Sequence, residues 1–239
     1  MTKNDFRIYD TPQHTAEAFG DYLMEEAAKK DVFHVALSGG STPKILFDYL
    51  ATSYAESEVW SKMHFYWGDE RCVPPTDDES NYKMTKERLF DKTPIPTENI
   101  HRILGENDPT GEAERYGKLL LENMDVKNEL PVFDMVILGM GEDGHTASIF
   151  PHQIELLESK NICDIAVHPE SGQQRVTLSG PVINAAQEVI FLVTGAGKKE
   201  KIHEIYNQSG AWKSYPAAHI NSVGRQFWYV DAKAVEGIV

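Results

Sequence analysis

The sequence contains no apolar run approaching the roughly 20 residues that a membrane-spanning helix needs. Its opening stretch, residues 1–19, is polar throughout and lacks the apolar centre of a secretory signal peptide. Only two cysteines are present, Cys72 and Cys163, and they do not form a C-x-x-C pair. These absences argue against a membrane protein, a disulfide framework and a cysteine zinc site, and we expect a protein of the reducing cytoplasm.

Basic residues are also scarce. The sequence has 23 lysines and arginines but 37 aspartates and glutamates, which gives a formal net charge of −14. Such a surface repels nucleic acid and anionic membranes at long range, so neither is an expected partner. If the substrate is an anion, the few basic residues must be gathered in one pocket. A basic residue directly after a predicted strand is therefore informative.

Short β-rich runs alternate with helical patterns along the chain. We predict strands at 6–9, 34–38, 63–68, 134–140, 162–167, 188–194 and 226–230. Capping residues or prolines predict helices at 12–30, 43–55, 81–91 and 109–124, and a further helix after Gly197. Several strands are almost continuously apolar, the pattern of strands covered on both faces. We expect residues 1–239 to form one α/β domain, a three-layer sandwich with a mostly parallel, Rossmann-like sheet.

Parallel sheets bind ligands at the carboxyl ends of their strands, so polar residues at these positions are candidates for a site. The stretch "SGGSTPK" (38–44) follows the second strand. Gly39 and Gly40 leave backbone N–H groups free at a helix start, with the Ser41 and Thr42 hydroxyls beside them. Either an oxyanion cradle or an ordinary tight turn with an N-cap explains this pattern.

The stretch "WGDERCVPPTDDESNY" (67–82) follows the third strand and places Arg71 at a strand end, after Asp69. A salt-bridged loop is the alternative to a binding role. Cys72 has no neighbouring histidine in the sequence to act as its base. We interpret it as a small buried side chain rather than a nucleophile.

The stretch "GMGEDGHTASIFP" (139–151) follows the fourth strand and contains three glycines around Asp143 and His145. We predict that His145 lies near a helix N-terminus, where the positive end of the helix disfavours a charged imidazolium. A neutral histidine can act as a base, and Asp143 could orient its ring. The alternative is that His145 only caps the helix.

The stretch "TGAGKKE" (194–200) places Lys198 at another helix start. A nucleotide P-loop would need glycine in place of Leu192 and serine or threonine in place of Lys199, so we interpret Lys198 as a point-charge ligand for phosphate. Arg175, in "RVTLSG" (175–180), is a further basic residue, for which an exposed strand charge is the alternative.

Other motifs are missing. There is no G-x-S-x-G elbow, no H-E-x-x-H and no cluster of residues with metal-ligand spacing. The sequence thus lacks the usual motifs of serine hydrolases and zinc peptidases. We expect neither a metal nor an organic cofactor.

Five stretches in order resemble the 6-phosphogluconolactonase family: "ALSGGSTPK", "WGDERCVPPTDDESNY", "FDMVILGMGEDGHTASIFP", "RVTLSGPVINAA" and "VTGAGKKE". Relatives of that family include glucosamine-6-phosphate deaminase, in which Asp-Gly-His continues into Ile-Ala-Phe-Asn-Glu-Pro with a glutamate that assists sugar ring opening. Here residues 146–151 read "TASIFP" and contain no carboxylate. The resemblance therefore favours the lactonase.

The resemblance implies hydrolysis of 6-phosphoglucono-δ-lactone to 6-phosphogluconate in the oxidative pentose phosphate pathway, so the expected partner is a sugar phosphate. It implies that His145 is the general base and Asp143 its support, and that Arg71 and Lys198 hold the phosphate. Further implied members of the site are Gly39, Gly40, Ser41, Thr42, Asp69 and Arg175. Since an ester carbonyl is already electrophilic, a positioned base and water suffice without a metal or a covalent nucleophile.

Two other functions stay open. A sugar-phosphate isomerase or deaminase of the same fold is disfavoured by the missing carboxylate. A non-catalytic sugar-phosphate sensor would keep Arg71 and Lys198 but would not need His145.

Overall fold

The computed structural model describes residues 5–238, and its centre is a six-stranded parallel sheet. Every pairing in this sheet is parallel, and the spatial order is β1-β11-β10-β7-β2-β3. The strands are β1 (Phe6–Tyr9), β2 (Phe33–Leu37), β3 (Met63–Trp67), β7 (Met135–Leu138), β10 (Glu188–Val193) and β11 (Arg225–Asp231). All residues of β7 and β10 are buried, as their unbroken apolar sequences predict.

Helices flank this sheet, which confirms the predicted α/β fold class. They are α1 (Pro12–Ala28), α2 (Ser41–Ser53), α3 (Asn81–Arg88), α4 (Pro109–Asn123), α5 (Gly180–Ala185) and α6 (Lys199–Asn207). Three predicted caps form as expected, because the side chains of Thr11, Ser80 and Asp108 accept backbone N–H groups at the starts of α1, α3 and α4. Within residues 5–238, no helix has the length and apolarity needed to cross a membrane.

A second, antiparallel sheet holds three strands in the order β4-β9-β8. They are β4 (Asp69–Arg71), β8 (Cys163–Val167) and β9 (Gln174–Leu178). The strand predicted at 162–167 therefore exists but does not join the parallel sheet. Its apolar run resembles a core strand because α4 packs against it. A short hairpin, β5 (Val126–Lys127) with β6 (Leu130–Pro131), completes the strands of the described residues.

The helix predicted at 43–55 begins two residues earlier than expected, at Ser41. Its N-cap is Gly40, with a φ of 111° and no side-chain cap. A left-handed backbone angle of this kind favours glycine. Ser41 and Thr42 are thus part of the first helical turn rather than its caps.

Candidate active site

A narrow cavity of about 170 Å³ lies at the carboxyl edge of the parallel sheet. Six of the ten predicted site residues line it: Gly39, Gly40, Asp69, Arg71, His145 and Arg175. Ser41, Thr42, Asp143 and Lys198 lie outside the lining. A larger groove of about 450 Å³ between α4 and β8 contains none of the predicted site residues.

His145 is oriented by Asp143. Its Nδ1 lies 2.6 Å from Asp143 Oδ1, and its backbone N–H donates to the same oxygen at 3.1 Å. Burial raises the pKa of Asp143, but the hydrogen bond and charge of His145 outweigh this and lower it to about 2. Asp143 is therefore ionised at neutral pH and accepts the proton on Nδ1. The Nε2 atom then carries the lone pair that a general base needs.

The expected helix at His145 is absent, and this prediction was wrong. The segment 142–150 consists of turns, with a φ of 82° at Gly144 and 48° at Ala147. These left-handed residues interrupt any helical run. The ring of His145 is consequently held by the carboxylate of Asp143 and not by the field of a helix.

Two glycines of this loop are required by close packing. A Cβ on Gly141 would lie 2.2 Å from Nδ1 of His145, and one on Gly144 would lie 2.5 Å from the ring of Tyr215. Residues 139–144 also fit the pattern G-x-G-x-x-G, which marks a dinucleotide site only when it opens a helix. Because the segment that follows, 142–150, is not helical, these glycines instead let Asp143 and His145 pack tightly.

Arg71 and Arg175 lie directly opposite each other across the pairing of β4 with β9. Burial lowers the pKa of the Arg175 guanidinium, the charge of Asp69 opposes this, and the charge of Arg71 lowers it further. The Nε atoms of both arginines are buried without a hydrogen-bond partner among the described residues. Like charges placed opposite each other are destabilising. An anion beside both guanidinium groups would relieve this repulsion, and Arg175, which is 8% exposed, is not an exposed strand charge.

Asp69 and Ser148 join the arginine pair to the histidine loop. Ser148 Oγ donates to Asp69 Oδ2 at 2.6 Å, and Arg175 donates to Ser148 Oγ at 3.4 Å. Sequence reasoning missed Ser148, although it lies three residues after His145. It also missed Asn81, which lines the pocket and donates to the Asp69 carbonyl at 2.9 Å. Asn81 could have been predicted as a site residue from its position in the first turn of a predicted helix.

Glu70 organises the loop that carries Arg71. Its buried carboxylate accepts the backbone N–H groups of Arg71, Asn81 and Tyr82, each at 2.8 Å, and the Ser80 hydroxyl at 3.0 Å. Burial raises the pKa of Glu70, and these four donors oppose that shift. Glu70 thus binds the loop backbone and does not neutralise the arginine, so a salt-bridged loop does not explain the motif.

The glycine turn before α2 packs against Asn81. A Cβ on Gly39 would lie 1.9 Å from Asn81 Oδ1, so no larger residue fits there without moving that side chain. The Thr42 hydroxyl lies 2.8 Å from the hydroxyl of Thr194 rather than in the pocket. The α2 N-terminus is thereby linked to the loop that carries Lys198.

Lys198 lies outside the pocket lining, in a short 3-10 helix (Ala196–Lys198) after β10. A Cβ on the preceding Gly197 would lie 3.3 Å from Oε1 of Glu142, so this loop adjoins the histidine loop. Within residues 5–238, Lys198 makes no ion pair. Its charge is therefore available to a ligand.

The described residues support neither a cysteine nucleophile nor a metal centre. Burial, with the charges of Glu70 and Glu112, raises the pKa of the Cys72 thiol to about 11, and Cys72 does not line the pocket. A thiolate nucleophile is thus disfavoured. No group of three His, Cys, Asp or Glu residues within 5–238 could hold a metal ion.

The fold and the pocket define an α/β protein with an aspartate-bound histidine and two arginines in one pocket at the carboxyl edge of its sheet. Residues 10–228 match the family described as glucosamine-6-phosphate isomerases/6-phosphogluconolactonase. The chain belongs to this family, and the resemblance predicted from the motifs is confirmed.

Curated sequences and solved structures that resemble the chain match most of its length. The 6-phosphogluconolactonase of Haemophilus influenzae is 44% identical over 229 residues, 95% of this chain and 97% of the relative. That of Nostoc is 40% identical over 204 residues, 84% and 83% of the two chains. The solved 6-phosphogluconolactonase of Trypanosoma brucei has a TM-score of 0.85 and 30% identity, and covers 98% of each chain. A monomeric glucosamine-6-phosphate deaminase, at 16% identity and a TM-score of 0.78, shares the fold alone.

Proposed function

We propose that this protein hydrolyses 6-phosphoglucono-δ-lactone to 6-phosphogluconate, as an enzyme of the oxidative pentose phosphate pathway in the cytoplasm. The observation that carries the proposal is the shared pocket, in which the aspartate-bound His145 lies with the Arg71–Arg175 pair. A general base and an anion site are the two functions that a phosphorylated lactone requires. The names of the curated relatives support the same reaction.

His145 begins the reaction by removing a proton from water. The water oxygen bonds to the lactone carbonyl carbon as the proton passes to Nε2, and Asp143 stabilises the imidazolium that forms. Backbone N–H groups at the Gly39–Gly40 turn stabilise the tetrahedral oxyanion. The intermediate then collapses, the bond from the carbonyl carbon to the ring oxygen breaks, and the imidazolium returns its proton to that oxygen.

Arg71 and Lys198 hold the phosphate, and Arg175 reinforces the positive charge beside Arg71. Arg71 has a buried Nε without a partner in the described part of the chain, and Lys198 has a charge without an ion pair there. A phosphate can accept hydrogen bonds from both, as charge-assisted contacts. The local cations also resolve the conflict between an anionic substrate and a net charge of −14.

The two alternatives are disfavoured by the residues of the site. A deaminase would place a carboxylate in the segment that follows the histidine, where residues 146–151 have none. A sugar-phosphate sensor would not need a histidine with an ionised aspartate on its Nδ1. We further propose that residues 1–239 form one domain that works without a metal or organic cofactor. A continuous hydrophobic cluster, which links the sheet to its helices within residues 5–238, supports the single domain.

The decisive experiment compares enzymatic with spontaneous hydrolysis of the lactone. Freshly prepared 6-phosphoglucono-δ-lactone is mixed with the purified protein, and its disappearance is followed against buffer alone and against the His145→Gln variant. We expect acceleration by the wild-type protein only. Lactone decay at the spontaneous rate, together with tight binding of 6-phosphogluconate, would instead indicate a sensor.

A further inference from the structure

Asp231, the last residue of β11, is buried at the carboxyl edge of the sheet, where its side chain is 0% exposed. Its Oδ1 accepts the backbone N–H of Gly195 at 2.8 Å and that of Ala234 at 3.2 Å. Its Oδ2 is also buried and has no hydrogen-bond partner among the described residues. Burial of a carboxylate is costly unless hydrogen bonds compensate for its lost hydration, and the N–H of Gly195 supplies one of them.

The loop that Asp231 contacts is the one that carries Lys198. Gly195 has a φ of 96°, and the N–H of Lys198 closes the turn on the Gly195 carbonyl at 3.1 Å. A Cβ on Gly195 would meet nothing within 4 Å, so the backbone angle and not crowding calls for glycine here. The Thr194 hydroxyl fixes the other side of the turn against Thr42.

We infer that Asp231 is a positioning residue, which holds the Gly195 turn so that Lys198 faces the phosphate of the substrate; this inference rests on the proposed function. A hydrogen bond from an N–H group to a carboxylate is stronger than one to a neutral acceptor. An anchor of that strength at Gly195 fixes the chain three residues before the lysine. Asp231 itself does not line the pocket and touches no reacting atom.

The test is a double-mutant cycle between Asp231 and Lys198. The dissociation constant of 6-phosphogluconate is measured by calorimetry for the wild type, Asp231→Ala, Lys198→Ala and the double variant. We expect Asp231→Ala to weaken binding about tenfold, the effect of one lost charge-assisted contact. In the Lys198→Ala background, the same substitution should have no further effect, because the residue acts through the lysine.

Activity on two substrates provides the second readout. Asp231→Ala should raise KM on the phosphorylated lactone more than it lowers kcat, and it should change little on glucono-δ-lactone, which has no phosphate. Losses that are additive with Lys198→Ala, or equal on both lactones, would overturn the inference. Calorimetry needs no turnover, so the double-mutant cycle does not depend on catalysis. A wild-type protein that binds 6-phosphogluconate but does not hydrolyse the lactone would contradict the proposed function, and the cycle could still be measured.

A conservative variant covers the case in which Asp231→Ala does not fold. Asp231→Asn keeps the side-chain size and one oxygen acceptor, so we expect it to fold and to show a smaller loss that also disappears in the Lys198→Ala background. Asp134→Asn is the matched control, because Asp134 is a buried carboxylate at the other edge of the sheet that accepts the His34 N–H at 2.7 Å. It should bind 6-phosphogluconate as the wild type does. Equal weakening by both asparagine variants would show a general loss of stability and refute the positioning role.

Discussion

The two edges of the parallel sheet each contain histidines, and these histidines differ in their partners. At the carboxyl edge, His145 contacts the ionised Asp143 at 2.6 Å. Near the amino ends of β2 and β3, His34 and His64 lie close to His101. There His64 Nδ1 is 3.1 Å from His101 Nε2, and the rings of these two stack with their centroids 5.4 Å apart.

Burial governs the protonation of the histidines at the amino edge. It lowers the pKa of His64 and of His34, although the charge of Asp134 opposes the shift at His34. Burial, reinforced by the charges of His64 and His34, lowers the pKa of His101 to about 4. The trio is therefore neutral and packed at physiological pH. At His145, by contrast, the ionised Asp143 accepts a hydrogen bond from Nδ1 and leaves the Nε2 lone pair that a base needs.

The largest effect is expected from His145→Gln, which removes the base and leaves Asp143 in place. We expect kcat to fall roughly 10²–10⁴-fold, the usual range for loss of a general base, while binding of 6-phosphogluconate is retained. Steady-state kinetics and calorimetry measure the two quantities. His64→Gln is the matched control at the other edge. A purified His145→Gln enzyme with unchanged kcat would show that this histidine is structural, like the trio.

Arg71→Ala and Lys198→Ala come next in size. Each would remove one of the proposed charge-assisted phosphate contacts, and we expect each to cut kcat/KM about tenfold or more on the phosphorylated lactone. Both should matter little on glucono-δ-lactone. Because phosphate binding also holds the carbonyl against His145, kcat should fall as KM rises. The phosphate assignment fails if both lactones lose activity equally.

A smaller effect is expected from acid on the trio at the amino edge. The pKa of His101 is depressed from 6.5 in the unfolded chain to about 4 in the folded protein, so the unfolded state binds more protons between these values. Stability should therefore fall as pH drops from about 6.5 to 4, by on the order of 1–2 kcal/mol once solvent screening is included. Thermal unfolding across this range measures it.

The comparison can be sharpened with His101→Phe. In the wild type the ring centroids of His101 and Tyr66 are 4.6 Å apart, and the variant keeps an aromatic ring at this position. The variant should lose part of the pH dependence between 6.5 and 4. The contribution of Asp143 lies lower on the pH scale, since its pKa is lowered from 3.8 to about 2 and its stabilisation disappears only as pH falls through that range. An unaltered pH profile in His101→Phe would remove the trio as the cause.

The smallest effect, none at all, is expected from chelation. The proposed mechanism needs only a base, water and fixed positive charges, so exhaustive treatment with a chelator should leave kcat and KM unchanged. Activity that disappears and returns with added divalent metal would contradict this prediction. Activity of the His145→Gln variant should be equally insensitive.

Much of the site was predictable because the chain places it by a simple rule. In a parallel sheet, the residues that follow each strand meet at one edge, and this rule brought Gly39, Arg71 and His145 into one pocket. The same reasoning predicted Lys198, which lies outside the pocket lining. Local sequence suffices where each residue is positioned by its own strand.

The missed features depend on contacts between distant segments. Strand periodicity could not show that Arg175 pairs with Arg71, because the antiparallel register of β4 and β9 joins positions about a hundred residues apart. The helix expected at His145 failed because Ala147 adopts a left-handed angle that alanine rarely takes. The role of Glu70, likewise, became visible only when α3 placed three donors around it.

The four hydrogen bonds to Glu70 have a consequence for the thermodynamics of substrate binding. They hold the Arg71 loop in one conformation before any ligand arrives, so the entropy of ordering that loop is lost during folding and not during association. The free energy of binding is then not reduced by the cost of ordering the loop. It is available for affinity and for alignment of the lactone. A pocket preorganised in this way favours a single-step encounter, in which the anion meets donors that are already in place.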